Sequence, residues 1–277
     1  MSEAARFFII QITFLSVVLI LHTYLGLHII KRTLIFSDLV LDQLAAFGAL
    51  IGIALGIQYG TTGSYFVSMI AVIIGALLLA FINPRNRLIP REAIIGIMYA
   101  LALVACLLLA DKLSGGSAHI TKTLTGSMLW VRWPIVIVTI IVYIVLLLFH
   151  YIFRRKFIGL TGNNSYSKKE KFWDFLFFTT QGIITVLVVP IAGVLLAYAF
   201  LMIPAAIALL FTNKWVPSLI LGWSLGLIAC LIGLVCSFNF DFPYGPSLIL
   251  SLGLFFILAI IIRVFLPQKV FIKKERI

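Results

Sequence analysis

The chain reads as an all-α polytopic membrane protein with eight or nine transmembrane helices. Three observations predict this. Of 277 residues, 63% are hydrophobic and 11% charged, with mean hydropathy +1.19, whereas a soluble domain carries about 25% charged residues. Apolar stretches near the ~20 residues needed to cross a bilayer recur along the whole length. The cations between those stretches alternate between rich and poor connections. So much apolar surface cannot be hidden in one soluble core. The composition therefore excludes a soluble enzyme, a disordered chain and a disulfide scaffold.

Taken in order, the spans fall at about 7–30, 38–57, 65–82, 92–110, 131–149, 172–190, 191–211, 216–236 and 246–266. The first apolar run, Phe7 to Ile30, is too long for a cleavable signal. The run from Phe172 to Phe211 is continuous, so it is either two spans or one span and a broken helix, which is why eight remains open beside nine. One alternating set of connections holds Lys31 and Arg32, then Arg85, Arg87 and Arg91, then Arg154, Arg155, Lys156, Lys168, Lys169 and Lys171. Lys214 and the cations from Arg263 to Arg276 complete it. The other set holds Arg6, Lys112, Lys122 and Arg132. The split is seventeen against four. The rich side is expected in the cytoplasm, with the C-terminus there and the N-terminus outside. The net charge of +12 thus reads as orientation rather than as affinity for nucleic acid. One transmembrane domain over 1–277 is expected.

Ionisable groups at membrane depth are costly and mark function. Asp38 and Asp42 lie four residues apart, which puts both carboxylates on one helix face. Two such carboxylates repel unless a divalent metal or a proton sits between them. The structural alternative for Asp38 is a helix N-cap after Ser37. Gly48, Gly52, Gly56 and Gly60 follow as a small-residue ridge that lets helices approach closely. That ridge predicts that the acid-bearing helix is buried against other helices. His22 and His28 read as packing residues of the first span, and His119 and His150 as solvated interface residues. Asp174 reads as an acid favoured by the positive start of its helix. Gln181 stands in the same span. Pro204, inside the seventh span, predicts a kink or break. Asn239, Asp241, Pro243 and Gly245 punctuate the last outer turn. Cys106, Cys230 and Cys236 lie in apolar runs without CxxC spacing and predict neither disulfide nor zinc site. No GxxxxGK[ST] sequence and no nucleophile–base pair is present. Any ATP-driven step would need another chain.

Five segments, in order, resemble one family. Gly26-Leu-His-Ile-Ile-Lys-Arg32 with Ser37-Asp38 and Gly48 is the first, and Arg91-Glu-Ala-Ile-Ile-Gly-Ile97 the second. Leu124-Thr-Gly-Ser-Met-Leu129 follows, then Ile191-Ala-Gly-Val-Leu-Leu-Ala-Tyr-Ala-Phe-Leu-Met-Ile-Pro-Ala-Ala-Ile-Ala208. The last is Gly233-Leu-Val-Cys-Ser237 with Asp241-Phe-Pro-Tyr-Gly245. Together they resemble the permease subunits of ATP-binding-cassette importers for zinc, manganese or iron. The resemblance implies the metal/vitamin B12 type of permease fold in a bacterial cytoplasmic membrane. It implies a divalent metal as cargo, no tightly bound cofactor, and ATP held by a separate ATPase subunit. It further implies an extracytoplasmic metal-binding protein and a second permease copy.

By position the resemblance makes Asp38, Asp42 and Gln43 the metal-path residues and Pro204, Asp241 and Pro243 pathway or gating residues. Phe157 to Lys171, with Phe157, Gly159, Lys168 and Lys169, would be the ATPase-coupling segment. The chain departs from the family at one point. Members place a His four residues after the Asp, where Asp42 stands here; alignment on the glycine places Gln43 there instead. Carboxylate and carbonyl oxygens suit manganese and other harder ions better than zinc. The sequence alone also admits a secondary transporter coupled to protons or sodium through Asp38 and Asp42, a permease for a non-metal cargo, or a membrane scaffold.

Overall fold

The structure, a computed structural model, describes residues 3–82, 89–126, 131–161 and 168–265. Every element in it is helical: α1 (Glu3–Lys31), α2 (Phe36–Ala54), α3 (Thr62–Phe81), α4 (Arg91–Asp111), α5 (Gly116–Thr125), α6 (Trp133–Ile152), α7 (Arg154–Gly159), α8 (Lys168–Ala192), α9 (Val194–Phe211), α10 (Trp215–Phe240) and α11 (Tyr244–Phe265). Among the described residues nine helices are long and apolar enough to cross a membrane. A bilayer leaves no water for backbone groups, and helices satisfy theirs internally. The cations Arg85 and Arg87 and those from Lys269 onward lie outside the described residues.

The count of nine is settled at Gly193. α8 and α9 meet at this residue, whose φ of +80° suits glycine, because a side chain there would crowd the carbonyl. A second glycine with positive φ, Gly126 at +73°, lies against the same bend. A Cβ on Gly126 would stand 2.5 Å from the Ile191 carbonyl oxygen, and one on Gly193 2.5 Å from the Gly126 nitrogen. Two of the recognised sequence segments thus meet backbone to backbone. Pro204 does not interrupt α9, which runs unbroken from Val194 to Phe211.

Contacts divide the chain into two compact units. One comprises residues 1–30 and 199–277, the other 31–198, with a boundary inside α9. In the first unit small residues admit close neighbours. Gly26 of α1 lies against the Leu201 backbone and Ala205 of α9. Gly222 and Gly226 of α10 leave room for Pro204, whose ring would stand 3.0 Å from a Cβ on Gly226. Trp223 donates its indole N–H to the Ile20 carbonyl at 3.0 Å. Ser251 of α11 donates to the Ala229 carbonyl of α10 at 2.7 Å.

In the second unit α2 packs on α3, α4 and α8, and α3 also packs on α8. Two-thirds of the core stretch of both α2 and α8 is buried, against 22% for α4 and 28% for α6. Those two helices are therefore the inner ones. Gly48 allows α2 to approach α3 so closely that a Cβ there would meet the Ser68 Cα at 2.6 Å. The expected glycine ridge is shorter than four residues. α2 ends at Ala54, and Gly56 and Gly60 sit beyond it with positive φ and open space around them. They shape the α2–α3 loop. Lys122 of α5 lies 5.1 Å from the Tyr59 ring in that loop. Burial, reinforced by Tyr65, pushes the Tyr59 hydroxyl up to about 12.

Candidate functional site

Seven residues after Asp174, α8 carries Gln181, and four further on Thr185. These offsets repeat on one helix face, and all three residues are buried. The stripe meets two groups of charged residues, and it treats them differently.

At the start of α8, Asp174 is 0% exposed. Arg32 pairs with its Oδ1, and Arg91 pairs with its Oδ2 at 3.2 Å. Arg91 also donates to the Leu79 carbonyl at the end of α3 at 2.7 Å. The Arg32 guanidinium lies 5.1 Å from the Phe177 ring centroid, and Arg91 lies 5.8 Å from that of Phe178. The expectation that Asp174 merely favours its own helix dipole is corrected: it joins the α1–α2 connection, α4 and α8. Arg32 and Arg91, counted in the sequence as topological charges, are mostly buried. Next to Arg91, Glu92 accepts the Phe36 backbone N–H at 2.8 Å. It thereby caps α2 from outside, since Ile35, the N-cap residue, makes no side-chain cap bond.

Two turns along α8 the stripe meets the acids of α2. Asp38 and Asp42 are 2% and 0% exposed. Asp38 is no N-cap; it lies inside the first turn and is bonded across to another helix. Gln181 donates its amide N–H to Asp38 Oδ1 at 2.7 Å. Neither carboxylate oxygen of Asp42 completes a hydrogen bond of normal geometry, although Thr185 lies close enough to interact weakly with it. Tyr143 of α6, 2% exposed, lies within electrostatic reach of Asp38, and Tyr198 within reach of both acids.

The energetics are one-sided. A hydrogen bond to a charged group contributes about 1.5–3 kcal/mol, while desolvating an ion costs several kcal/mol. Two adjacent acids held by the Gln181 amide and a Thr185 hydroxyl of poorer geometry are undercompensated. A divalent cation or protons would supply the missing compensation.

The other sequence-predicted residues are placed elsewhere. Gln43, one residue after Asp42, turns to the α4–α5 side of α2. There its backbone carbonyl accepts the Cys106 thiol at 3.2 Å, and the residue lines a cavity of about 20 Å³ with Ala46, Leu50 and Thr123, room for about one water. Pro204, Asp241 and Pro243 belong to the other unit. Asp241 caps α10 with φ +52°. It and Pro243 are exposed in a turn closed by the Ser237 hydroxyl donating to the Phe242 carbonyl at 2.8 Å. Phe157 is 0% exposed and anchors α7 among Phe149, His150, Trp173 and Phe177, while Gly159 is exposed at the end of α7. Lys168 and Lys169 open α8; their side chains, and residues 162–167 of the expected coupling segment, lie outside the described part.

Among the histidines, His150 is not solvated as expected. It is 2% exposed, hydrogen-bonded to Thr180 at 2.9 Å and stacked on Phe157. His22 is a packing residue, bonded to the Val18 carbonyl at 3.0 Å.

Sequence reasoning alone did not attach Gln181, Thr185 or Tyr143 to the acids, nor Arg32 and Arg91 to Asp174. The 174–181–185 spacing was the available signal.

This architecture has solved and sequenced counterparts. A chain in the structure of PsaBC from Streptococcus pneumoniae in complex with Fab matches 91% of this chain and 90% of its own length, with a TM-score of 0.74 and 21% identity. The manganese transport system membrane protein MntC of Listeria monocytogenes is 27% identical over 97% of each chain. The manganese import system permease protein ScaB of Streptococcus parasanguinis is 27% identical over 76% of each. The model of the ABC 3 transport family matches residues 6–263, nearly the whole chain and both units of its fold, and the protein is a member of that family.

Proposed function

We propose that this protein is the membrane-spanning permease subunit of an importer that passes a divalent cation, manganese above all, across a bacterial cytoplasmic membrane. The carrying observation is the pair of buried, undercompensated carboxylates on α2. A protein keeps such a pair in a membrane helix only where something positive visits it. Asp38 and Asp42 are the way-station, and the cation is cargo rather than resident. The manganese relatives support the choice of ion, as do the oxygen donors and the absence of an imidazole four residues after Asp38.

Family membership supports energy supply by a separate ATPase, delivery by an extracytoplasmic binding protein, and pairing with a second permease copy. The segment from Phe157 to Lys171 would meet the ATPase, with α7 held in place by Phe157. The seventeen-to-four split of cations supports a cytoplasmic C-terminus.

The two acids are almost inaccessible, so cargo reaches them only when neighbouring helices shift. Radiolabelled manganese uptake by cells expressing the full transporter tests the reading. Asp42→Ala lowers uptake to the background of cells lacking the permease, at equal membrane abundance. Wild-type uptake by that variant would overturn it.

A further inference from the structure

We infer that Gln181 is itself a cation ligand and sets selectivity, its amide oxygen joining Asp38 and Asp42 in an all-oxygen donor set that favours Mn2+ over Zn2+. The inference rests on the cation reading above and adds a residue from a second helix.

The orientation of the amide follows from its neighbour. A carboxylate only accepts hydrogen bonds, so the NH2 of Gln181 faces Asp38, at 2.7 Å. The carbonyl Oε1 then points away from Asp38, and it has no hydrogen-bond partner although the residue is 0% exposed. A buried amide oxygen normally finds a donor. Here an acceptor without a donor lies on the residue that already grips one acid, one helix away from a second acid whose oxygens are likewise unbonded. Buried acceptors with too few donors on two facing helices are what a cation requires.

The charge balance agrees. Two carboxylates match one divalent ion, and the neutral amide and the nearby Thr185 hydroxyl add oxygens without adding charge. Such a set, with no nitrogen or sulfur, suits a hard ion; zinc gains most from imidazole and thiolate. Because Gln181 sits on α8 and the acids on α2, a bound ion would also tie these two inner helices together.

Calorimetric titration of the purified full-length transporter with MnCl2 and, separately, ZnCl2 tests this. Gln181→Leu removes the oxygen, and Gln181→His substitutes a nitrogen. Gln181→Leu lowers the affinity for both ions, and Gln181→His lowers the preference for Mn2+ over Zn2+ by about tenfold, because it exchanges a hard oxygen for a nitrogen that zinc favours. The ratio of the two affinities is read within each variant, so a partial loss of folded protein cancels. An unchanged ratio in Gln181→His would overturn the inference, even if both affinities fell, and would leave Gln181 as a residue that only orients Asp38. Failure of the underlying reading looks different: the wild type and Asp42→Asn would then bind Mn2+ equally or not at all.

Discussion

Asp174 and Asp42 are both 0% exposed, in helices of the same unit, yet their surroundings are opposite. Asp174 is held by two guanidinium groups that themselves lie on phenylalanine rings. Asp42 has another acid one turn away and oxygen donors around it, with no hydrogen bond of its own. The same residue type at the same burial serves as framework in one place and as a receptor for charge in the other. The difference lies in compensation, and burial alone does not reveal it.

The largest expected effect falls on the compensated acid. Asp174→Asn leaves two buried guanidiniums sharing a neutral partner. Breaking a buried ion pair in this way costs about 3–5 kcal/mol. Folded yield by size-exclusion chromatography should collapse, and manganese uptake should fall in proportion to the protein lost. A monodisperse variant at normal yield would show that Asp174 is not framework.

A smaller effect is expected where α8, the helix that meets both groups, ends. Gly193→Ala forces a side chain into positive φ and against Gly126, at a cost of about 1–3 kcal/mol. Thermal unfolding should shift down accordingly, while the ratio of manganese to zinc affinity stays as in the wild type. A changed ratio would mean that the bend shapes the site and not only the frame.

Much of this was legible in the sequence. Helix class and the approximate positions of the spans were readable because a bilayer imposes length and hydropathy rules that are local to each segment. Asp38 and Asp42 were readable because their spacing puts them on one face of one helix. The partners of those acids were less so. Gln181 lies 143 positions from Asp38 in the chain, and no local periodicity says that α8 rather than α3 or α4 faces the acids. The two arginines were misread for a related reason. Cations at helix ends obey the topology rule whether they face water or a buried acid, so charge counting could not separate Arg32 and Arg91 from exposed neighbours. Gly56 and Gly60 fit the helical period by sequence, but α2 stops before them.

The most direct test is thermal unfolding of the wild type and of Asp42→Asn, each with and without Mn2+. Without metal, Asp42→Asn should unfold at or above the wild-type temperature, because it removes a buried acid that must otherwise stay uncompensated or take up a proton to fold. With Mn2+ at about a hundred times its dissociation constant, the wild type should gain about 2.7 kcal/mol, and the variant none. An equal gain in both, or a variant that is less stable without metal, would contradict the assignment of Asp38 and Asp42 as the place where the cation binds.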